Sequence, residues 1–442
     1  MSATVQIQLI PSANATVHAN DNPTWELYSK CVHCGLCLNN CPTYRVLGME
    51  MDSPRGRIRQ MADVAEGKMA ISKSYVTHID RCLGCVACET ACPSGVQYGH
   101  LAERARAQIE RECPRGWFTK KLRDYFFGKL LGDYKALANV SSWLRLNQRS
   151  GLQSFVRATG VLKFMGLAEM EALSPVVDDE FYFSEFGKTF PAEGELRGRV
   201  LFHAGCIACT TFSDLNRATV RVLNKNGIEV HVPAAQGCCG ALSAHAGYRD
   251  TAREMAAKNI PVFLHETEQY DAIVTNAAGC GAHLKNYADL FAASGDSESI
   301  ARAAQFSRKV KDISEYLHAL GLRPPKKKLG FRVAYQDPCH LLHAQKIKIA
   351  PRELLKAVGA TIVALPHADQ CCGSAGSYNI TQNELSMKIL AAKMDDIATI
   401  IDRADVIGTA NVGCQLQLRA GVDQRGMSLE VKHVVELLNE CY

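Results

Sequence analysis

The chain has 442 residues, 47% of them hydrophobic, which is enough for two to four domains with cores of their own. Its 50 basic and 45 acidic side chains leave a formal net charge of +5. This excess is too small to indicate nucleic-acid binding, although it permits contact with an anionic membrane surface or an acidic partner. The 19 cysteines are the unusual feature. Clustered cysteines in a long chain indicate metal binding or redox chemistry in a reducing compartment, not a secreted disulfide scaffold.

The start of the chain shows no export signal. Residues 1–25 read as a polar arm without the basic start and apolar run of a signal peptide. No window of about 18 uninterrupted apolar residues follows, so no membrane-spanning helix is expected. We therefore expect a cytoplasmic protein.

Residues 26–112 carry one cysteine motif twice and are predicted to form a dicluster ferredoxin-like domain. "CVHCGLCLNNCP" begins at Cys31 and "CLGCVACETACP" at Cys82, and both read C-x2-C-x2-C-x3-C-P. In this spacing three thiolates bind one [4Fe-4S] cluster and the fourth binds the other cluster. The predicted ligand sets are Cys31, Cys34, Cys37 and Cys92 for cluster 1, and Cys82, Cys85, Cys88 and Cys41 for cluster 2. Zinc is the alternative, but zinc sites rarely use so compact a run of four cysteines twice.

The spacer between the motifs is predicted to be helical. "SPRGRIRQMADVAEG" (53–67) places Pro54 in the first turn of a helix and Gly67 near its end. Basic residues near the motifs have two interpretations: they offset the negative charge of the clusters, or they are solvated surface charges. These residues are Lys30, Arg55, Arg57, Arg59 and Arg81.

Residues 113–196 contain no paired cysteines and are predicted to be a helical connector. "WFTKKLRDYFFGKLLGDYKALANV" and "LQSFVRATGVLKFMGLAEM" are apolar at helical spacing, with Lys and Arg between. The segment either packs on the neighbouring domains or presents a basic amphipathic surface to a membrane or a partner subunit.

The remaining chain is predicted to form two copies of one α/β domain, at 197–328 and 329–442. Strands alternate with helices in both, which predicts parallel sheets with right-handed crossovers. Cys206 and Cys238 are 32 positions apart, as are Cys339 and Cys371. Both CCG pairs are followed by a last cysteine at a similar distance, at Cys280 and Cys414. An internal duplication is the simplest explanation.

In both copies the cysteines follow predicted strands, so they should meet at the carboxyl edge of each sheet. We predict a third cluster at Cys339, Cys371, Cys372 and Cys414, and a fourth site at Cys206, Cys238, Cys239 and Cys280, which either holds a cluster or has lost it. The alternative is that these thiols are small buried hydrophobic groups. Six histidines near the two sites are either structural or transfer protons to a quinone. They are His340, His343 and His367 in the second copy and His203, His245 and His283 in the first.

Taken together, the motifs resemble the iron–sulfur subunit of bacterial glycolate oxidase (glycolate dehydrogenase). The resemblance covers roughly residues 26–442 and includes "SPRGRI", "GCCGA", "HLLHAQK", "CCGSAGSY" and "TANVGCQ". More distant resemblances are to the iron–sulfur subunits of anaerobic glycerol-3-phosphate dehydrogenase and of lactate utilisation, and to the CCG-containing subunit of heterodisulfide reductase. That last family ends each CCG domain in C-x-x-C, whereas this chain has His283 and Gln417 there. The difference argues against a noncubane double cluster and against disulfide reduction.

The sequence predicts no substrate site and no catalytic residue in this chain. It has no G-x-G-x-x-G after a strand and no P-loop, so the flavin that accepts a hydride must be elsewhere. The resemblance implies two flavin-binding partner subunits, glycolate as substrate, a quinone-type acceptor and a peripheral position on the cytoplasmic membrane face. The alternatives are the same role with lactate, glycerol-3-phosphate or another donor, a disulfide reductase, and a zinc scaffold.

Overall fold

The computed structural model describes residues 21–113, 115–164, 171, 174–266, 269–293 and 296–442. Most of the predicted N-terminal arm lies outside these residues. The described chain is mixed α/β, with a helical N-terminal part followed by two parallel-stranded sheets, which confirms the predicted fold class.

The N-terminal part is built from short helices around the two cysteine motifs. They span Trp25–Tyr28, Pro42–Leu47, Pro54–Ala65, Lys73–Asp80, Ala87–Thr90 and Tyr98–Glu112, with a 3-10 turn at Glu50–Asp52. The predicted spacer helix starts at Pro54, and the Ser53 hydroxyl accepts a hydrogen bond from Gly56 N. Buried residues of these helices, such as Met61, Tyr75 and Leu101, form the core of this part.

The described part of the connector is mostly helical, while the "MGLAEM" end (165–170) of the second predicted helical stretch lies outside the described residues. Its helices span Trp117–Gly128, Tyr134–Arg149, Leu152–Ala158 and Val161–Phe164, with 3-10 turns at Leu130–Gly132 and Tyr182–Glu185. Phe127, Leu130 and Leu131 are buried against the first α/β unit. Most of the other large apolar side chains of these helices are exposed.

The first α/β unit has a five-stranded sheet in the order β1-β3-β2-β4-β5. The strands are β1 Thr189–Phe190, β2 Gly198–Phe202, β3 Ile228–His231, β4 Ala272–Thr275 and β5 Val310–Asp312. Only β1 is antiparallel, with Thr189 paired to His231, and it lies inside the segment predicted as connector. The helices span Ala208–Thr211, Ser213–Lys225, Ala241–His245, Arg249–Glu266, Ala278–Leu284, Tyr287–Ala292, Ser297–Lys309 and Ile313–Leu320.

The second α/β unit repeats this topology, with four parallel strands in the order β7-β6-β8-β9. They are β6 Arg332–Tyr335, β7 Thr361–Val363, β8 Val406–Thr409 and β9 Glu430–His433. A π-helix spans His340–Ala344, and α-helices span Ala350–Ala357, Tyr378–Thr381, Asn383–Ala398, Val412–Gln424 and Val434–Asn439. Residues of β2 and β6, including Phe202 and Tyr335, share one hydrophobic core, so the two units pack together.

Candidate iron–sulfur sites

The eight cysteines of the ferredoxin-like part line two adjacent cavities. Cys31, Cys34, Cys37 and Cys92 line the first, which Cys88 also reaches. The second cavity is lined by Cys41, Cys82, Cys85 and Cys88. These are the two quartets predicted from the motif, with the fourth cysteine of each run placed beside the other run. Every cysteine in the described residues is a free thiol.

The backbone has the same unusual conformation at matching positions of the two motifs. His33 and Gly84, each just before the second cysteine, have φ of 55° and 67°. Gly35 and Val86, each just after it, have φ of 84° and 52°. A positive φ is rare for a β-branched residue such as Val, so the loop imposes this conformation against residue preference. The Gly84 N–H also lies 3.3 Å from Cys82 Sγ, as expected for an amide aimed at a thiolate.

The basic residues near the motifs divide between the two interpretations. Arg57 is 1% exposed, pairs with the buried Asp52 at 3.2 Å and also bonds to Thr43, whose hydroxyl lies 3.1 Å from Cys41 Sγ. Arg55 bonds to the His33 carbonyl in the first cysteine loop. Arg81 also pairs with Asp52. In contrast, Arg59 pairs with Asp63 at the surface, and Lys30 is exposed.

Arg106 is a charge near cluster 2 that the sequence analysis missed. Its guanidinium donates to the carbonyl of Cys82. Burial alone would raise the pKa of the Cys82 thiol, but the positive charges of Arg57 and Arg106 lower it below its usual value. Arg106 lies in the helix Tyr98–Glu112, which follows the second motif, and its sequence position alone does not distinguish it from the other basic residues of that helix.

In the second α/β unit, the four predicted cysteines meet at the carboxyl edge of the sheet. Cys339 follows β6, Cys371 and Cys372 follow β7, and Cys414 follows β8. Contact with Cys371 and burial raise the pKa of the Cys339 thiol, and contact with Cys414 and burial raise that of Cys372 against a lowering contact with Cys371. Gly373 N and Asn411 Nδ2 lie 3.5 and 3.4 Å from the sulfurs of Cys371 and Cys414.

This second cysteine site lies directly against the cluster 2 loop. Cys85 packs in one apolar cluster with Leu83, Cys339 and Cys371. His340 Nε2 lies 3.0 Å from the Gly84 carbonyl, and the Tyr378 hydroxyl donates to the Arg81 carbonyl at 2.8 Å.

The first α/β unit brings its four cysteines together in the same way. Cys206, Cys238 and Cys239 are buried, and the sulfurs of Cys206 and Cys238 are 3.4 Å apart. Contact between Cys239 and Cys280 contributes to the raised pKa of Cys239. The connector covers this site, since Tyr134 donates to the Gly205 carbonyl and Phe127 packs in the same core.

Of the six histidines, three converge and three do not. The rings of His283 and His340 lie 6.1 and 5.2 Å from the ring of His245. His203 is buried beside the Gly237 carbonyl, and burial lowers its pKa to about 4. His343 bridges Thr90 and the Asp369 carbonyl. His367 pairs with Asp396 at the surface.

Comparison with known proteins agrees with this arrangement. Residues 27–96 match a 4Fe-4S dicluster domain, residues 200–285 and 333–419 match the cysteine-rich CCG domain, and residues 118–174 match the linker region of the glycolate oxidase iron–sulfur subunit. The chain is 40% identical to the probable glycolate oxidase iron–sulfur subunit of Bacillus subtilis, and 32% identical to the glycolate oxidase iron–sulfur subunit of Escherichia coli, over 93% of each chain.

The chain belongs to the family of glycolate oxidase iron–sulfur subunits. A further relative is lactate utilization protein A of a Geobacillus species, 30% identical over 54% of this chain and 99% of that protein. As a member of this family, the chain is an iron–sulfur subunit of an oxidoreductase and carries several iron–sulfur clusters, including two of the [4Fe-4S] type.

The cysteines fit these clusters in number and surroundings, since they lie in quartets of free thiols, with a backbone N–H donor at Cys82 and the cationic Arg57 and Arg106 beside cluster 2. Which cysteines bind which cluster stays a prediction. Of the two positions that depart from the C-x-x-C pattern, Gln417 is buried and bonds to Ser386 and Asn379, so it acts as a structural amide. None of the helices in the described part of the chain is long and apolar enough to span a bilayer.

Proposed function

We propose that this chain carries electrons, one at a time, from flavin-binding partner subunits that oxidise glycolate to a quinone-type acceptor at the membrane. A hydride transferred to a flavin delivers two electrons together, whereas iron–sulfur clusters pass them singly. The chain would therefore act as the conductor between the flavin and the acceptor. Glycolate as the donor is supported by the two relatives matched over 93% of each chain, which are glycolate oxidase iron–sulfur subunits, that of Bacillus subtilis a probable one.

The contact between Cys85 and Cys339 carries the proposal. It joins two predicted cluster sites, because Cys85 belongs to the cluster 2 quartet and Cys339 to the second CCG site. The cluster 1 and cluster 2 cavities are likewise adjacent, with Cys88 lining both. The three sites thus form a continuous series from the N-terminal domain into the second α/β unit.

The connector helices supply the surface that we propose for peripheral membrane contact. Trp117, Phe118, Trp143, Phe155 and Phe164 are each at least 66% exposed. Residues 117–164 contain nine basic and two acidic side chains, an excess larger than the net charge of the whole chain. Aromatic side chains beside Lys and Arg are typical of surfaces that bind an anionic bilayer.

The proposal is tested on the complex purified anaerobically with its flavoprotein partners. We expect glycolate to reduce the clusters, seen as reduced iron–sulfur EPR signals, while lactate and glycerol-3-phosphate do not. Reduction of the clusters by lactate but not by glycolate would identify lactate as the electron donor instead. Reduced flavin beside fully oxidised clusters would contradict the electron-transfer role.

A further inference from the structure

A cavity of about 270 Å³ lies where the ferredoxin-like part and both α/β units meet. One ordered water needs only about 10–15 Å³, so this space is large enough for a small ligand. Gly84 and Val86 line it from the cluster 2 loop, His245 and His283 from the first α/β unit, and His340 from the second.

The cavity adjoins three predicted cluster sites. Gly84 and Val86 flank Cys85 of cluster 2. His283 lies one turn after Cys280 in the helix Ala278–Leu284 of the first α/β unit. The position next to His340 is Cys339 of the second CCG site. A ligand in the cavity would therefore lie close enough to each of these sites to accept electrons from a cluster there.

Three buried polar atoms around the cavity have no hydrogen-bond partner among the described residues. They are Nε2 of His245, Nε2 of His283 and Oε1 of Gln345. His283 is only 6% exposed, and leaving a buried polar group unsatisfied costs about 1–3 kcal/mol. Such atoms in a native fold call for a ligand or a functional explanation.

His245 is held in place by a buried ionic network. Its Nδ1 lies 2.8 Å from Glu103 Oε1, and Arg249 binds the other oxygen of Glu103 at 3.0 Å. Burial alone would raise the pKa of Glu103, but its hydrogen bond with His245 and the charges of His245 and Arg249 hold it well below its usual value. The carboxylate fixes the ring and leaves Nε2 as the atom available to a ligand.

The charges of the lining favour a neutral ligand over an anion. Lys285 Nζ pairs with Glu315 at 2.6 Å. Arg106 donates to the backbone carbonyls of Ile79, Cys82 and His245. Lys285 and Arg106 already have partners, and the carboxylates of Glu89 and Glu103 also line the cavity, so an anion is disfavoured. The unpartnered groups of the described lining are imidazole nitrogens and an amide oxygen, which suit carbonyl and hydroxyl groups.

We propose that this cavity binds the head group of a quinone, with Nε2 of His245 and Nε2 of His283 hydrogen-bonded to its oxygens, and that the quinone is reduced there. The inference rests on the proposed function, for which it names the acceptor site. Two electrons arrive singly from iron–sulfur clusters, which are thereby oxidised. Two protons from solvent reach the ligand through the imidazole nitrogens, so that both carbonyl groups become hydroxyl groups.

The test uses the assembled complex and a short-tailed ubiquinone as the probe. Binding is measured by calorimetry under anaerobic conditions, without substrate. His283→Leu and His245→Leu should each weaken binding about tenfold, since leucine cannot hydrogen-bond to the ligand and a tenfold change corresponds to about 1.4 kcal/mol. His318→Leu, at an exposed position in the helix Ile313–Leu320, is the matched control and should bind the quinone as the unchanged chain does.

Iron and sulfide contents equal to those of the unchanged chain show that each variant is folded and loaded. Equal quinone affinity in the unchanged chain and both variants, or no binding at all, would overturn the inference and leave a cavity that holds only water. The same samples are then treated with glycolate. Cluster reduction by glycolate together with absent quinone binding refutes this site alone, whereas clusters that stay oxidised refute the proposed function.

Discussion

Replacing Gly373 by Ala should damage the second CCG site, because this glycine has two properties that no other residue can reproduce there. Its φ is +93°, in the region that side chains avoid, and an added Cβ would lie 2.6 Å from the Ser386 carbonyl oxygen. Gly373 directly follows Cys371 and Cys372, and its N–H points to the Cys371 sulfur. The substitution therefore disturbs the loop that carries the doubled cysteine.

The size of the effect follows from these two terms. A left-handed backbone conformation costs a residue with a Cβ about 1–2 kcal/mol. Forcing an atom against a fixed backbone group adds about 1–3 kcal/mol. We expect Gly373→Ala to lower the free energy of unfolding by about 2–5 kcal/mol.

Gly426→Ala is the matched control in the same α/β unit. Its φ is +58°, and no heavy atom of the described residues lies within 4 Å of an added Cβ. Gly426→Ala should therefore lower the free energy of unfolding by only about 1–2 kcal/mol, the cost of the left-handed backbone conformation.

Urea unfolding of the anaerobically purified protein measures both variants, and iron analysis reports the site. We expect Gly373→Ala to lose about four irons, those of the third cluster, while Gly426→Ala keeps them. Equal stability and equal iron content in the two variants would refute the account of this loop.

Three further changes test other parts of the structure. Arg57→Met should lower the free energy of unfolding by about 1.5–3 kcal/mol, because Asp52 loses its fully buried cation but keeps the pair with the partly exposed Arg81. Lys120→Gln with Lys121→Gln should weaken binding to phosphatidylglycerol vesicles about thirtyfold, since each basic residue near an anionic surface contributes about 1 kcal/mol. Burial raises the pKa of Asp312 to about 6, so the stability contributed by its protonated form is present at low pH and lost as the pH rises through about 6. Asp312→Asn should reduce the loss of unfolding free energy between about pH 4 and pH 6.5.

The first two changes have a control, and each of the three has an outcome that would contradict it. Arg59→Met removes a surface ion pair and should change the unfolding free energy by less than about 1 kcal/mol. If Arg57→Met changed the unfolding free energy as little as Arg59→Met does, the buried ion pair would not stabilise the fold. Vesicles of neutral lipid should bind the chain weakly. Equal binding to neutral and anionic vesicles would contradict electrostatic binding of the connector helices to the membrane. If the unfolding free energy of Asp312→Asn depended on pH as that of the unchanged chain does, groups other than Asp312 would be responsible for the dependence.

The sequence predicted the regions in which local chemistry determines the structure. The spacer helix starts at Pro54, where Ser53 caps it and a proline is favoured in the first turn. The doubled CCG pattern predicted which loops follow parallel strands, because each cysteine comes soon after a short apolar run. The same spacing argument predicted the two quartets of the ferredoxin-like part, which the structure brings together around two cavities.

Features that depend on distant parts of the chain were not predictable in this way. Strand β1 has only two residues, too few for an alternating pattern, and it forms by pairing with β3. Val86 adopts a positive φ although its side chain disfavours it. The histidine cavity brings together residues more than 200 positions apart, such as Glu103 and His340, and no local pattern marks such a meeting.

The most direct test of the electron-transfer account is the EPR spectrum of the complex after anaerobic addition of glycolate, for the unchanged chain and for Cys371→Ser. Iron analysis of the same samples should give at least about eight irons per chain from the two [4Fe-4S] clusters, with further iron in the unchanged chain that the variant lacks. The account also predicts that glycolate reduces the ferredoxin-type clusters in both proteins, while transfer to quinone is lost in the variant. Clusters that remain oxidised beside reduced flavin in the unchanged chain would contradict it.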